Sequence, residues 1–147
     1  MKDTFIHQYE SQVAHAPLPL QLAETYSISS IIKDTTDKKV YLLKDQRNQP
    51  FILKCCSSMY AGVLRQEYDF LTHHTNMDCF PDAVTFFEES DMCFLLRDYI
   101  KGPLLGEHSE HLYAQYTHFR DFENALLPYM IECCQIISIL HHEKPPM

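Results

Sequence analysis

The stretch Phe51-Ile52-Leu53-Lys54-Cys55, followed by Val63-Leu64-Arg65-Gln66-Glu67-Tyr68, decides the fold. The first run is apolar and reads as a short strand. Lys54 at its end is costly to bury unless it meets an anion. In the second run Val63, Leu64, Tyr68 and Leu71 recur at helical spacing, with Arg65, Gln66, Glu67 and Asp69 between them. Glu67, on the helix that follows the strand, is the natural partner of Lys54. A strand Lys held by a helix Glu can fix phosphate oxygens. These two residues alone leave a second reading open, an edge Lys snorkelling to water and a Glu on a solvated helix face.

Upstream of this stretch, Tyr26 to Ile32 is β-rich and partly alternating. Lys33 to Lys39 is a polar connection without an apolar residue, and Val40-Tyr41-Leu42-Leu43 is a second strand. Asp45 to Gln49 is a turn, and Pro50 opens the third strand. Downstream, Pro81 precedes a hairpin, Val84 to Phe87 and Met92 to Leu96, around the acidic turn Glu88 to Asp91. Lys101-Gly102-Pro103 is a sharp break. The order is β-β-β-α-β-β, an α+β pattern with an antiparallel sheet and one main helix at about 60–74. Beyond the break, Leu104 to Phe122 is polar and aromatic. An apolar stripe from Leu126 to Leu140 then predicts a helix at about 125–142, with Asn124 as its cap and Pro128 in its first turn. Residues 1–25 read as a lead-in, with Phe5, Ile6 and Tyr9 on one side of a short helix and Pro17 and Pro19 ending it.

The chain resembles the N-terminal lobe of a Ser/Thr protein kinase of the bacterial type. Val40-Tyr41-Leu42 is similar to the strand below the phosphate loop, and Phe51-Ile52-Leu53-Lys54 to the strand ending in the nucleotide-binding Lys. Leu64-Arg65-Gln66-Glu67 resembles the helix carrying its ion-pair partner. Phe94 to Gly102 resembles the fifth strand and hinge, and Ile139 to Pro146 the approach to the catalytic loop. The resemblance implies a five-stranded kinase-like lobe over 26–102 and the start of a helical lobe over 103–147. It implies ATP with Mg2+ as the ligand, and protein hydroxyls as acceptors in the complete family. Asp98 and Ile100 would be the hinge's backbone contacts to adenine, and Ile31, Val40 and Ile52 the apolar walls around the ring. Arg97 would border the back of the pocket, or reach Glu67 and compete with Lys54 for it.

Three departures accompany the resemblance. The family's phosphate loop is glycine-rich so that backbone N–H groups can approach phosphates closely. Here Lys33, Thr35 and Lys38 stand where glycines would fall, and none of the 3 glycines of the chain lies in this loop. Ile52 replaces the small residue usual beneath adenine. The family's catalytic Asp and metal-binding Asn and Asp would all fall past Met147, so no catalytic residue is assigned within this chain. The expectation is an incomplete lobe, inactive alone, with doubtful ATP binding. The alternative is a non-catalytic, pseudokinase-like protein-interaction module.

Composition narrows the partners. With 12 Lys+Arg against 20 Asp+Glu, the formal net charge is -8, which argues against a nucleic-acid or anionic-membrane binder. No apolar run is long enough to span a bilayer and no secretory signal is visible, so a cytoplasmic protein is expected. The 6 cysteines include two adjacent pairs, Cys55-Cys56 and Cys133-Cys134, and no C-x-x-C. That pattern suits reduced thiols rather than a metal site. His108 and His111 share a helix spacing without an evident third ligand. The 125–142 helix is apolar on more than one side, so it needs cover from a protein partner, a following lobe or a second copy.

Overall fold

The computed structural model describes residues 18–142. The expectations for Phe5, Ile6 and Tyr9, and for Glu143 onward, lie outside the described residues. The chain divides into two compact units, Met1–Ile100 and Lys101–Met147.

The first unit is α+β. A short helix α1 (Leu20–Ala23) leads into β1 (Tyr26–Asp34), β2 (Lys38–Asp45) and β3 (Pro50–Ser57). A single 3-10 turn (Ser58–Tyr60) then opens helix α2 (Ala61–His73), which is followed by β4 (Ala83–Glu89) and β5 (Met92–Asp98). The five strands form one antiparallel sheet in the order β1-β2-β3-β5-β4.

Local chemistry sets the turns. Between β2 and β3, the Asp45 carboxylate accepts from the backbone N–H of Arg47 (2.9 Å) and Gln49 (2.8 Å). Asn48 takes a left-handed conformation, which Asn tolerates. Between β4 and β5, Ser90 and Asp91 both have positive φ, the mirror-image turn whose twist matches a two-residue hairpin. Between β1 and β2 the connection is tighter than its polar sequence suggests. Thr35 closes it: its hydroxyl donates to the Lys38 carbonyl (2.8 Å) and its N–H bonds the same oxygen (3.0 Å). The strands run into the polar stretch, so Lys33 and Lys38 are strand residues rather than loop residues.

Both faces of the sheet are covered. On one face, Cys56, Cys93 and Leu95 pack with Leu64 of α2, and Tyr68 and Phe86 lie against them. Arg65 extends its guanidinium over the Phe86 ring, 4.5 Å from the centroid. On the other face, Leu43, Leu53 and Leu96 pack with Leu22 of α1. Within α2 the buried stripe is Leu64 and Leu71; Val63, expected on it, is 60% exposed.

Among the described residues the second unit has two helices, α3 (Leu105–Gln115) and α4 (Phe119–His142). Gly102 precedes α3 with φ 155°, a conformation a side chain would strain. Glu107 reaches back to accept from the Leu104 N–H (3.0 Å), satisfying one orphan donor of the first turn. The two helices meet through aromatic edges, His108 on Tyr129 and Tyr113 on Phe122, with centroids 4.7 and 5.3 Å apart. α4 starts earlier than the expected 125, so Asn124 is not its cap and Pro128 lies inside the helix. Pro128 has no N–H to bond the preceding turn, and the helix continues without that bond. No residue of α4 is buried. No helix among the described residues is long and apolar enough to cross a membrane.

Candidate functional site

Strand pairing determines which side chains share a face, because residues directly opposite project to the same side. Lys54 stands opposite Val40 on one neighbour and Leu95 on the other; Ile52 stands opposite Leu42 and Arg97. Lys33 is opposite Val40, and Lys38 is opposite Cys56. The face that receives α2 therefore carries Lys33, Lys38, Lys54 and Arg97 around a strip of Val40, Leu42 and Ile52. Leu42 was not picked out from the sequence; its place opposite Ile52 is a matter of register.

Lys54 and Glu67 meet as expected. The Lys54 Nζ donates to both Glu67 carboxylate oxygens at 2.7 Å. The two side chains are 17% and 27% exposed, so the pair is largely out of water, where a charge needs a partner. Arg97 competes for the same carboxylate, as the sequence allowed. Its Nε lies 3.5 Å from Glu67 Oε1. That distance permits attraction, but the buried Nε–H makes no hydrogen bond. Its Nη1 donates instead to the Asp98 carbonyl (3.1 Å). Glu67 thus serves one well-made and one poorly aligned cation.

Ile31 is the correction among the expected apolar walls. β1 is irregular between Ile28 and Ser30 and again between Ile31 and Lys33. These shifts put Ile31 opposite Tyr41, on the face away from Lys54. There Ile31 lines a cavity of about 480 Å3 with Leu18, Ile28, Tyr41, Leu53 and Phe94. Lys39, grouped with the loop lysines on the sequence, also turns to that side and pairs with Asp34 at 3.7 Å. Val40 stays half-buried beside Lys54, and Ile52 is 4% exposed.

The segment Asp98–Ile100, expected to act as a hinge, is partly engaged by its own chain. The Asp98 N–H donates to the Asp82 carbonyl at 2.9 Å, and its carbonyl already receives Arg97. One lone pair of that carbonyl is left for a ligand. Ile100 is half exposed, and together with Asp82, Asp98 and Tyr99 it borders a second cavity of about 290 Å3. Burial, then the neighbouring Asp82 charge, pushes the Asp98 carboxyl above its ordinary value. Among the described residues no group of three or more His, Cys, Asp or Glu gathers in a way that could hold a metal, and His108 packs on Tyr129.

No family model matches the chain, and no curated protein matches it. Among solved structures it is similar to the crystal structure of Rad53 1-466 in complex with AMP-PNP. The sequence identity is 16% and the TM-score 0.45, over 59% of this chain and 24% of that one. The chain spans about a quarter of the length of that structure.

Proposed function

We propose that the first unit is the nucleotide-binding lobe of a Ser/Thr protein-kinase-like domain. The observation that carries this reading is the bidentate Lys54–Glu67 pair on a sheet face that also holds Lys33, Lys38 and Arg97. A Lys pre-positioned by a carboxylate, with further cations on the same face, suits the oxygens of a polyphosphate. ATP fits in part. Val40 and Leu42 offer an apolar surface to a base, but Ile52 adds bulk there and the Asp98 N–H is already taken. The Thr35-closed turn presents side chains where close backbone approach would be needed. When bound, the nucleotide would supply the phosphoryl group and bring Mg2+ with it. No residue of this chain is proposed as a Mg2+ ligand or as a catalytic group. The free cysteines suit a cytoplasmic setting.

Weak binding is the expected result. With Mg-ATP at its own Kd, the melting temperature should rise by about 2 °C. That Kd should lie in the millimolar range, and Lys54→Ala should abolish the rise. A rise that Lys54→Ala leaves intact, or none at saturating ligand, would overturn the nucleotide reading and leave a pseudokinase-like module.

A second reading, an interaction module, has its own observation. α4 is apolar nearly all round between Ala125 and Leu140, and Leu127, Ile131, Ile137 and Ile139 are each about half exposed. A helix of that kind is normally buried. Self-association through α4 follows, and light scattering should give a mass above 17.3 kDa that grows with concentration. Ile131→Glu should bring it down. A concentration-independent monomer with no response to a hydrophobic dye sinks the idea.

A further inference from the structure

Cys56 on β3 and Cys93 on β5 stand directly opposite each other across the sheet. Their sulfurs are 3.1 Å apart, with both thiols free. Opposed residues of an antiparallel pair have Cα atoms about 4.5–5.5 Å apart, inside the roughly 4.4–6.8 Å that a disulfide spans. The backbone is thus already spaced for a bond. Cys55, next in sequence, points to the other face and cannot substitute. The pair lies beneath Leu64 of α2, with Cys93 fully buried and Cys56 6% exposed. The two residues are far apart in the chain, so neither spacing nor motif reveals the pairing.

We propose that Cys56 and Cys93 are a dithiol modification site, closed to a cross-strand disulfide by a peroxide. The oxidant enters at Cys56, the more exposed residue of the two. The Cys56 thiolate attacks one peroxide oxygen and the O–O bond breaks; Cys56 becomes a sulfenic acid and the other oxygen leaves as water. The Cys93 sulfur then displaces the sulfenic oxygen as a second water. Two electrons pass from the sulfurs to the peroxide, and both thiol protons end on the waters. Before reaction the Cys93 thiol lies 3.5 Å from the Cys56 carbonyl oxygen and 3.8 Å from that of Ser57, either of which can accept from its S–H. Burial, then the Cys56 thiol beside it, pushes the Cys93 thiol above its ordinary range, so the reaction at neutral pH is slow. The product bond ties β3, which carries Lys54, to β5, which carries Arg97. This inference does not depend on nucleotide binding.

The test oxidises the folded full chain with hydrogen peroxide, blocks residual thiols in denaturant and maps the peptides. The expected product is lighter by two hydrogens, with Cys56 joined to Cys93. It melts at least about 5 °C above the reduced chain, because a closed loop of this length restricts the unfolded state. Reductant returns the melt to its starting value. Cys93→Ser loses the link; Cys55→Ser and Cys79→Ser keep it. Should Cys93→Ser fail to fold, the peptide map and melt of the unsubstituted chain decide alone. The proposal is overturned if Cys93 stays alkylatable while Cys56, or the exposed Cys79 and Cys134, take up oxygen. A link formed through Cys55 overturns it equally.

Discussion

Glu67→Ala should destabilise the first unit by about 2–3 kcal/mol, and Lys54→Ala by about half as much. The inequality follows from one carboxylate serving two cations. Removing Glu67 takes the bonded carboxylate from the Lys54 ammonium and the nearby negative charge from the Arg97 guanidinium, in surroundings largely closed to water. Removing Lys54 leaves Glu67 free to turn toward Arg97, whose Nε–H is unbonded and 3.5 Å away. The new hydrogen bond returns part of what is lost. Urea denaturation of the two variants checks this, and the double variant measures the coupling. Equal costs for the two single substitutions would show that Arg97 does not share the carboxylate. The same asymmetry bears on ligand binding, since a phosphate drawing Lys54 away would leave Glu67 a second cation to hold.

The second large effect concerns Leu95 and Leu96, adjacent residues on opposite faces of β5. Each is fully buried. Leu95→Ala removes packing against Leu64 of α2; Leu96→Ala removes packing against Leu22, Leu43 and Leu53. Each truncation should cost about 3 kcal/mol, from lost burial and the void left behind. That lowers the melting temperature by roughly 12 °C or more. Val84→Ala, at an exposed position of β4, should cost under about 1 kcal/mol by comparison. The informative outcome is the equality of the two leucines. Among the described residues only one face of the sheet has a long helix on it, so a small Leu96 effect would mean that α1 and its neighbours cover the other face poorly.

Much of this was legible in the chain because two periodicities are clean. The short apolar runs bounded by the polar stretches Lys33–Lys39, Asp45–Gln49 and Glu88–Asp91 mark all five strands, and Leu64, Tyr68 and Leu71 mark α2. Lys54 and Glu67 were readable because a charge at the end of an apolar strand demands a partner and the next element offers one. Other features depend on forces that leave little trace in composition. Strand ends at Lys33 and Lys38 are held by backbone hydrogen bonds, which are indifferent to side-chain polarity at a solvated rim. Ile31 lies on the unexpected face because an irregularity in β1 shifts the alternation, and a one-residue slip reverses every side chain. α4 starts ahead of its apolar stripe because a Pro need not lie in a first turn: the helix runs through Pro128 with one backbone bond fewer.

The irregularities of β1 have a companion in β4, where the register shifts between Ala83 and Thr85. β1 and β4 are the two border strands, while the inner pairings β2–β3 and β3–β5 are unbroken. A newcomer strand seeking to extend the sheet would find an interrupted row of donors and acceptors on either side, a recognised defence against fibril-like growth. Assemblies of this protein should therefore retain its native β-content and dissolve on dilution, rather than convert to cross-β material.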